Sequence, residues 1–440
     1  MKLALLGSYQ GSGFQITGLG AIVSFAASEA SNGVARAPAT AGDRRLVVIG
    51  LGIAMGYLCA LAAMFVRHQW MIDAAGRPMP TDFMEIWSAG RLALHGAALS
   101  AYDGRLQHAA EAAAIGHDFQ GFYSWSYPPG FLFAAAAAAS LPYALAFAVW
   151  IAGGLALHGF SIAAITRRPA AMVLAFASPW ALACALVGQN GFITAGLIGL
   201  VLSTMEKRPV LSGLLLGLLT YKPQFGLLFP LVLLLSGRWK VFAFAAISAL
   251  GLLALSAVVF GAGTLAAFLH GLPEASQTLV TNGAAGWGKL QSLYGLARCL
   301  GGSDLVGWTV QGLMSAACAL GVAVVWRSQA PFALKAAALA VATVLVTPYV
   351  FAYDLPVLAV PVAFLYRQRR FDRLEYLGLA LAALTVVPFA FAAVPSGLVA
   401  SLAVAAIVAR RLAAWTRENL PRFPTAHPQR DEPAATAAPS

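Results

Sequence analysis

The chain has 440 residues, of which 60% are hydrophobic and 10% are charged, whereas soluble domains carry about 25% charged residues. The apolar residues fall into runs of about 16 to 22, the length that crosses ~30 Å of hydrocarbon. This composition excludes an ordinary soluble enzyme. It predicts an all-α polytopic membrane protein with about 11–12 transmembrane helices.

The formal net charge is +11, and many of the basic residues stand in short clusters between the apolar runs. Clusters at span ends mark the cytoplasmic side of a membrane protein, so the charge indicates orientation and not a nucleic-acid partner. The Arg44-Arg45 pair precedes the first apolar run. We therefore expect the amino terminus inside and the segment after the first span outside.

The first span is predicted near residues 46–66, after a weakly ordered leader that covers residues 1–43. A long polar segment of residues 67–129 follows, which we call the first loop. Alternating apolar and polar faces predict helices near 82–97 and 104–116 within it. A connection of this length is usually functional.

A long apolar region, residues 131–166, is interrupted by Leu141-Pro142 and predicts a short helix followed by a full span. Further spans are predicted near 169–187, 190–205, 209–221, 223–237 and 241–260. Two of them are short and meet at Lys222-Pro223. Short helices that meet at a polar break are typical of segments that line an internal cavity.

A second polar segment, residues 261–303, is also predicted outside, and we call it the second loop. The remaining spans are predicted near 305–326, 332–347, 349–365, 374–393 and 396–412. Residues 44–414 therefore form one membrane-embedded domain. Residues 415–440 are rich in Pro, Ala and Thr and predict a disordered cytoplasmic tail.

Asp82 and Glu85 share one face of the helix that is predicted at the start of the first loop. In one interpretation an aspartate here is a general base at the membrane surface and accepts a proton from an attacking hydroxyl. In the other, Asp82 is an N-cap and Glu85 folds back in a capping box. The two roles do not exclude each other.

Lys222 lies between apolar helices at membrane depth, where a lysine costs about 2.5–3.5 kcal/mol on insertion scales. It either binds a phosphate or extends to the interface. Asp354 is a buried carboxylate that could pair with a basic residue. In the second loop, Lys289 and Arg298 suit a sugar phosphate, since arginine can meet phosphate oxygens in a fork.

Other polar residues at span ends form plain turns in one interpretation and contact a sugar in the other. They are Tyr127, Gln189, Asn190, Gln224, Gln291, Ser292 and Tyr353. Glu85 and Asp354 are further candidates for binding the substrate. The histidines lack the i, i+4 spacing of a helical metal pair, and the four cysteines form no C-x-x-C pair. We therefore expect no metal and no cofactor.

The order of these motifs resembles glycosyltransferase family 87, which includes polyprenol-phosphate-mannose-dependent mannosyltransferases. The resemblance covers residues 46–410. The motifs that carry it are Asp82-Phe83, Gly96, Tyr102-Asp103, Tyr127-Pro128-Pro129, Gly188-Gln189-Asn190, Lys222-Pro223-Gln224, Gln291-Ser292-Leu293 with Arg298, Thr347-Pro348-Tyr349 and Tyr353-Asp354.

The resemblance implies a GT-C type membrane fold, an active site on the extracytoplasmic face and Asp82 as the base. It also implies a polyprenyl-phosphate sugar donor, with Lys222, Lys289 and Arg298 as candidates for binding the donor phosphate. The expected protein is a monomeric, inverting hexosyltransferase of the bacterial cytoplasmic membrane, surrounded by membrane lipid, that acts on a glycolipid or glycan acceptor. The alternative is a multi-span transporter or lipid flippase, which also uses broken helices and buried charges.

Overall fold

The computed structural model describes residues 41–79, 81–119 and 123–419, which form helices joined by turns and loops. Most of the predicted leader and most of the predicted tail lie outside the described residues. The first described helix begins at Ala41 and the last described helix ends at Asn419. The weakly ordered leader and the disordered tail stay predictions.

The described residues contain 19 α-helices, which we number in chain order. They are α1 (Ala41–Val66), α2 (Asp82–Leu94), α3 (Gly104–Ile115), α4 (Leu132–Ala139), α5 (Tyr143–Thr166), α6 (Met172–Phe176), α7 (Ala181–Val187), α8 (Gly191–Thr204), α9 (Pro209–Leu218), α10 (Leu228–Leu235), α11 (Trp239–Phe260), α12 (Gly263–Ser276), α13 (Leu293–Cys299), α14 (Asp304–Arg327), α15 (Phe332–Leu345), α16 (Ala359–Gln368), α17 (Arg373–Leu384), α18 (Val386–Phe391) and α19 (Ser396–Asn419).

Six helical segments in the described part are long and apolar enough to cross a membrane, and the chain is a polytopic membrane protein. They are Val47–Val66, Tyr143–Thr166, Trp239–Phe260, Asp304–Arg327, Arg373–Phe391 and Ser396–Asn419. A bent pair, Pro169–Phe176 and Ala181–Val187, is a candidate for a seventh span. Five further apolar helices are shorter, so the expected total of 11–12 spans stays a prediction.

The predicted helices of the first loop are confirmed as α2 and α3. The interruption at Leu141-Pro142 is confirmed as well, because α4 ends at Ala139 and α5 begins at Tyr143. A proline removes a backbone donor and clashes with the preceding turn, which is why one long apolar region forms two helices here.

Helices of similar composition have different surroundings in this fold. On α15, all residues from Ala336 to Leu345 are buried. On α11, by contrast, large apolar side chains such as Ile247, Leu250 and Val258 are exposed. A helix that is apolar on all sides is buried either by protein or by lipid. The exposed side chains of α11 are those expected of a surface in contact with hydrocarbon.

The start of α2 is packed into this helical core by aromatic rings. Phe83 is fully buried, and its ring centroid lies 5.5 Å from that of Tyr143 and 5.3 Å from that of Phe147 on α5. Such pairs contribute about 0.5–1.5 kcal/mol beyond the area they bury. They anchor the residue next to Asp82.

Candidate active site

Asp82 is the first residue of α2, and the N-cap of this helix is Thr81. The prediction that Asp82 is the N-cap in a capping box with Glu85 is therefore wrong. No side-chain cap hydrogen bond forms at Thr81, because its Oγ1 lies 2.9 Å from the hydroxyl of Tyr143. The Asp82 carboxylate is thus left available for other partners.

Burial raises the pKa of Asp82 to about 6. The positive charge of Lys289, hydrogen bonding by the Gln189 side chain and the charge of Lys222 each lower this pKa and limit the shift. A carboxylate with such a pKa is ionised at neutral pH and is a stronger base than an exposed aspartate. These are the properties that a general base requires.

The predicted turn at Gly188-Gln189-Asn190 is confirmed, and it joins α7 to α8. Gly188 has φ +74°, and a Cβ there would lie 2.6 Å from Cβ of Phe83. Only glycine meets both conditions without strain. The turn therefore lies directly against the start of α2, and Gln189 reaches Asp82 from it.

Tyr127 connects this turn to the end of the first loop. Its hydroxyl donates to Gln189 Oε1 at 3.1 Å and accepts from Asn190 Nδ2 at 2.9 Å. Its carbonyl oxygen accepts from the hydroxyl of Tyr102 at 3.0 Å. Both amide side chains are buried. Tyr127 thus sets the orientation of the amide that contacts Asp82.

Lys222 and Asp354 form a buried ion pair in which Nζ lies 2.6 Å from Oδ1. Lys222 stands between two short turns at the end of α9, and Asp354 Oδ2 accepts from the backbone N–H of Phe351. The ammonium group also lies 5.2 Å from the ring centroid of Tyr353. The expectation that Asp354 pairs with a basic residue is confirmed. Lys222 is 4% exposed and turns inward instead of extending to the interface.

The tertiary structure brings together residues that are far apart in the sequence. The charges of Lys222, Lys289 and Asp354 all act on Asp82. Lys289 is exposed at the end of a short turn, Trp287–Lys289, in the second loop. Two cations, an ionisable carboxylate and an amide group therefore share one site. This combination suits a reaction that moves a proton and develops negative charge.

The other predicted site residues of the second loop bond to their own loop and its neighbours. Arg298 donates to the carbonyl oxygens of Thr281 and Gly302 at 3.1 and 3.2 Å. Gln291 Nε2 donates to the carbonyl of Gly288 at 3.0 Å. Ser292 caps α13. These bonds hold the segment that presents Lys289.

Gln224 and Tyr353 are the two predicted residues close to Lys222 and Asp354 in the sequence. Gln224 is half-buried in the turn Pro223–Phe225, which follows Lys222 directly. The ring of Tyr353 stacks against that of Phe351, with centroids 5.3 Å apart. Gly191 makes this arrangement possible, because a Cβ there would lie 1.7 Å from the carbonyl oxygen of Tyr353.

Sequence reasoning missed three residues close to Asp82 or Glu85. Tyr123 is half-buried, and its pKa is raised to about 12 by burial and by the charges of Asp82, Glu111 and Glu85. Gln107 and Glu111 lie fully buried on α3. Their i, i+4 spacing places them on one face of that helix. This spacing was the one signal in the sequence that could have pointed to them.

Among the residues that the structure describes, no group of three or more His, Cys, Asp or Glu side chains is placed to hold a metal ion.

Comparison with known proteins gives one match. The sequence model described as glycosyltransferase family 87 matches residues 125–348, half of the chain. The match includes Tyr127, Gln189, Lys222 and Lys289, whereas Asp82 precedes it. No curated protein and no solved structure matches.

Proposed function

The chain belongs to glycosyltransferase family 87, and from this premise we propose that it transfers a sugar from a polyprenyl-phosphate donor to a hydroxyl group of a glycolipid or glycan acceptor. Mannose is the proposed sugar, and transfer proceeds with inversion. Family membership makes the protein a membrane glycosyltransferase and favours this activity over that of a transporter or flippase.

The observation that carries the proposal is the environment of Asp82. Its carboxylate is ionised at neutral pH, its pKa is raised to about 6, and the Gln189 amide and two lysines surround it. The acceptor oxygen attacks the anomeric carbon while its proton passes to Asp82. The bond between the anomeric carbon and the phosphate oxygen breaks, and the donor phosphate leaves as a monoester.

The leaving phosphate gains negative charge, and cations placed beforehand stabilise that charge most effectively. Lys289 is exposed and its charge reaches Asp82, so we assign it the direct contact with the phosphate. Lys222 contributes as well, although the phosphate has to compete with Asp354 for its ammonium group. Arg298 contributes indirectly, because its hydrogen bonds hold the loop that presents Lys289.

The remaining polar residues near Asp82 are proposed to bind the sugars. Tyr127, Gln189 and Asn190 form one hydrogen-bonded unit beside the base. Gln224 and Tyr353 flank the lysine pair and suit the donor sugar. Gln291 and Ser292 support the position of Lys289.

The proposed location is the bacterial cytoplasmic membrane, with the site facing the extracytoplasmic side. The positions of the basic clusters support this orientation under the positive-inside rule. A polyprenyl chain is as apolar as the exposed faces of α11 and the other long helices. It would lie along these helices and carry its phosphate to Lys289 at the end of the hydrocarbon layer.

The test is sugar transfer by the purified full chain in lipid nanodiscs, with labelled polyprenyl-phosphate mannose and a glycolipid acceptor. We expect Asp82→Asn to lower the rate by about 10²–10⁴-fold, the usual contribution of a general base. Asp73→Asn is the matched control, because Asp73 lies in the same loop and pairs with Arg77 at the surface. Equal transfer by the wild type and Asp82→Asn would contradict the assignment of the base.

A further inference from the structure

Two more carboxyl groups lie behind Asp82, at the contact between α2 and α3. Glu85 follows Asp82 by one helical turn and is 8% exposed, and Glu111 is fully buried. The cation whose charge acts on Glu85 is Lys222, which is bonded to Asp354. A buried carboxylate without a close cationic partner is strongly unfavourable, and such a group keeps its proton instead.

The hydrogen bonds around Glu111 also favour a protonated carboxyl group. Gln107 Nε2 donates to the carbonyl oxygen of Glu85 at 3.0 Å and to Glu111 Oε1 at 3.1 Å. Within the described residues, Gln107 Oε1 and Glu111 Oε2 are buried acceptors that lack a donor. A proton on Glu111 Oε2 turns one of these acceptors into a donor. A carboxylic acid facing an amide can then form two bonds, one in each direction.

The electrostatics of the three carboxyl groups agree with this bonding pattern. Burial raises the pKa of Glu111 to about 8. Burial, together with the negative charge of Asp82, raises the pKa of Glu85 well above its usual range. Environments that push the pKa values of neighbouring carboxyl groups apart in this way assign one group as the acid and the other as the base.

We propose that Glu85 is a neutral carboxylic acid that donates a hydrogen bond to a hydroxyl group of the sugar bound beside Asp82, and that Gln107 and Glu111 are positioning residues that hold the backbone of Glu85. This inference rests on the proposed function. Asp82 and Glu85 point to the same side of α2 because they are three residues apart. A sugar hydroxyl can then accept from Glu85 while Asp82 accepts the proton that is transferred.

Several charged or titratable groups face Glu85 and Glu111, which we call the acid pair, from the elements around them. Asp82 faces it from α2, Tyr123 from the end of the first loop, and Lys222 from the turn after α9. On α3, His108 Nδ1 lies 3.8 Å from Glu111 Oε2, which is too long for a hydrogen bond. His108 Nε2 instead lies 2.9 Å from Oδ1 of the exposed Asp118.

Infrared spectroscopy of the full chain in nanodiscs tests the protonation without any substrate. We expect a protonated carboxyl band at pH 7 that weakens at pH 10, and we expect Glu111→Gln and Glu85→Gln each to remove part of it. Asp118→Asn is the control that leaves the band unchanged. Absence of the band in the wild type, or its persistence in both glutamine variants, would overturn the proposal.

Kinetics with the labelled donor and glycolipid acceptor test the hydrogen bond to the sugar. Glu85→Gln keeps a hydrogen-bond donor, so we expect its KM for the substrate held by Glu85 to stay within about twofold of the wild-type value. Glu85→Leu removes the donor, and we expect it to raise that KM about tenfold, which corresponds to about 1.4 kcal/mol. The wild type loses activity at alkaline pH as the acid pair ionises, and Glu85→Gln retains it. Equal impairment of the glutamine and leucine variants would refute the role of Glu85.

The two proposals fail in different ways. A protonated carboxyl band together with no transfer by the wild type would contradict the proposed function alone. Transfer by the wild type without that band would contradict the acid pair alone. Because Glu111→Gln is nearly isosteric, its fold can be verified by its thermal unfolding before either measurement.

Discussion

At the scale of single residues, the site depends on how burial separates groups of the same chemistry. Asp82, Glu85 and Glu111 are all carboxylic acids, yet burial raises the pKa of Asp82 to about 6 and that of Glu111 to about 8. The positive charge of Lys289 and the hydrogen bond from Gln189 lower the pKa of Asp82 and limit its rise. The scarcity of charged residues in the sequence pointed to Asp82 and Glu85. It could not rank their acidity, because that depends on neighbours from other segments.

The pH dependence of transfer follows from Asp82. The ionised form of Asp82, which acts as the base, predominates when the pH exceeds its pKa of about 6. We therefore expect kcat/KM to rise with pH through that value and to level off near neutrality. In Lys289→Met the positive charge that lowers this pKa is lost, so the rise should shift to higher pH and the plateau should fall. Lys207→Met is the control, because Lys207 is an exposed lysine in the connection between α8 and α9. A pH profile that is identical in wild type and Lys289→Met would refute the effect of the Lys289 charge on the pKa of the base.

Stability should respond to pH through Glu111. Its folded-state pKa of about 8 lies above the value in the unfolded chain, about 4.5. The folded state therefore holds a proton that the unfolded state has lost, and stability falls as pH rises between these two values. Glu111→Gln removes this loss, so its Tm should exceed that of the wild type at pH 9 and differ little at pH 5. Thermal unfolding at both pH values measures this difference, and an equal Tm difference at the two values would contradict it.

At the scale of helices, the site is formed where helices end. Asp82 begins α2, Gly188 ends α7, and Lys222 follows α9. Helix ends leave backbone groups without internal partners and allow side chains to change direction. The sequence predicted the helices of the first loop and the interruption at Leu141-Pro142, because amphipathic periodicity and proline act locally. One of its two interpretations placed the N-cap of α2 at Asp82, one residue after the N-cap Thr81.

Substitution of Gly188 tests how the turn after α7 positions α2. In Gly188→Ala the added Cβ would lie 2.6 Å from Cβ of Phe83 at a φ of +74°. We expect a loss of about 1–3 kcal/mol in stability and a loss of transfer activity as the start of α2 moves. Gly153→Ala on α5 is the control, because nothing lies within 4 Å of its added Cβ. If both variants keep full activity and stability, Gly188 does not position Asp82.

At the scale of the whole molecule, the Lys222–Asp354 pair joins segments 132 residues apart in sequence. Removing one partner of a buried ion pair costs about 3–5 kcal/mol, whereas replacing both by apolar residues is often neutral. Asp354→Leu should therefore lower Tm more than the double variant Lys222→Met with Asp354→Leu. Thermal unfolding of the two single variants and the double variant measures the coupling. Additive losses would show that the pair does not stabilise the fold.

The sequence by itself determined the membrane class, the helices of the first loop and the list of polar residues worth considering. Apolar run length, periodicity and scarce charge are local properties, so they can be read without a structure. The tertiary structure decided which of those residues meet. It paired Lys222 with Asp354, directed Arg298 to backbone carbonyls and placed Gln107 and Glu111 beside Glu85. Contacts across many helices set burial and charge neighbours, and these two quantities determine protonation and hence the chemistry of the site.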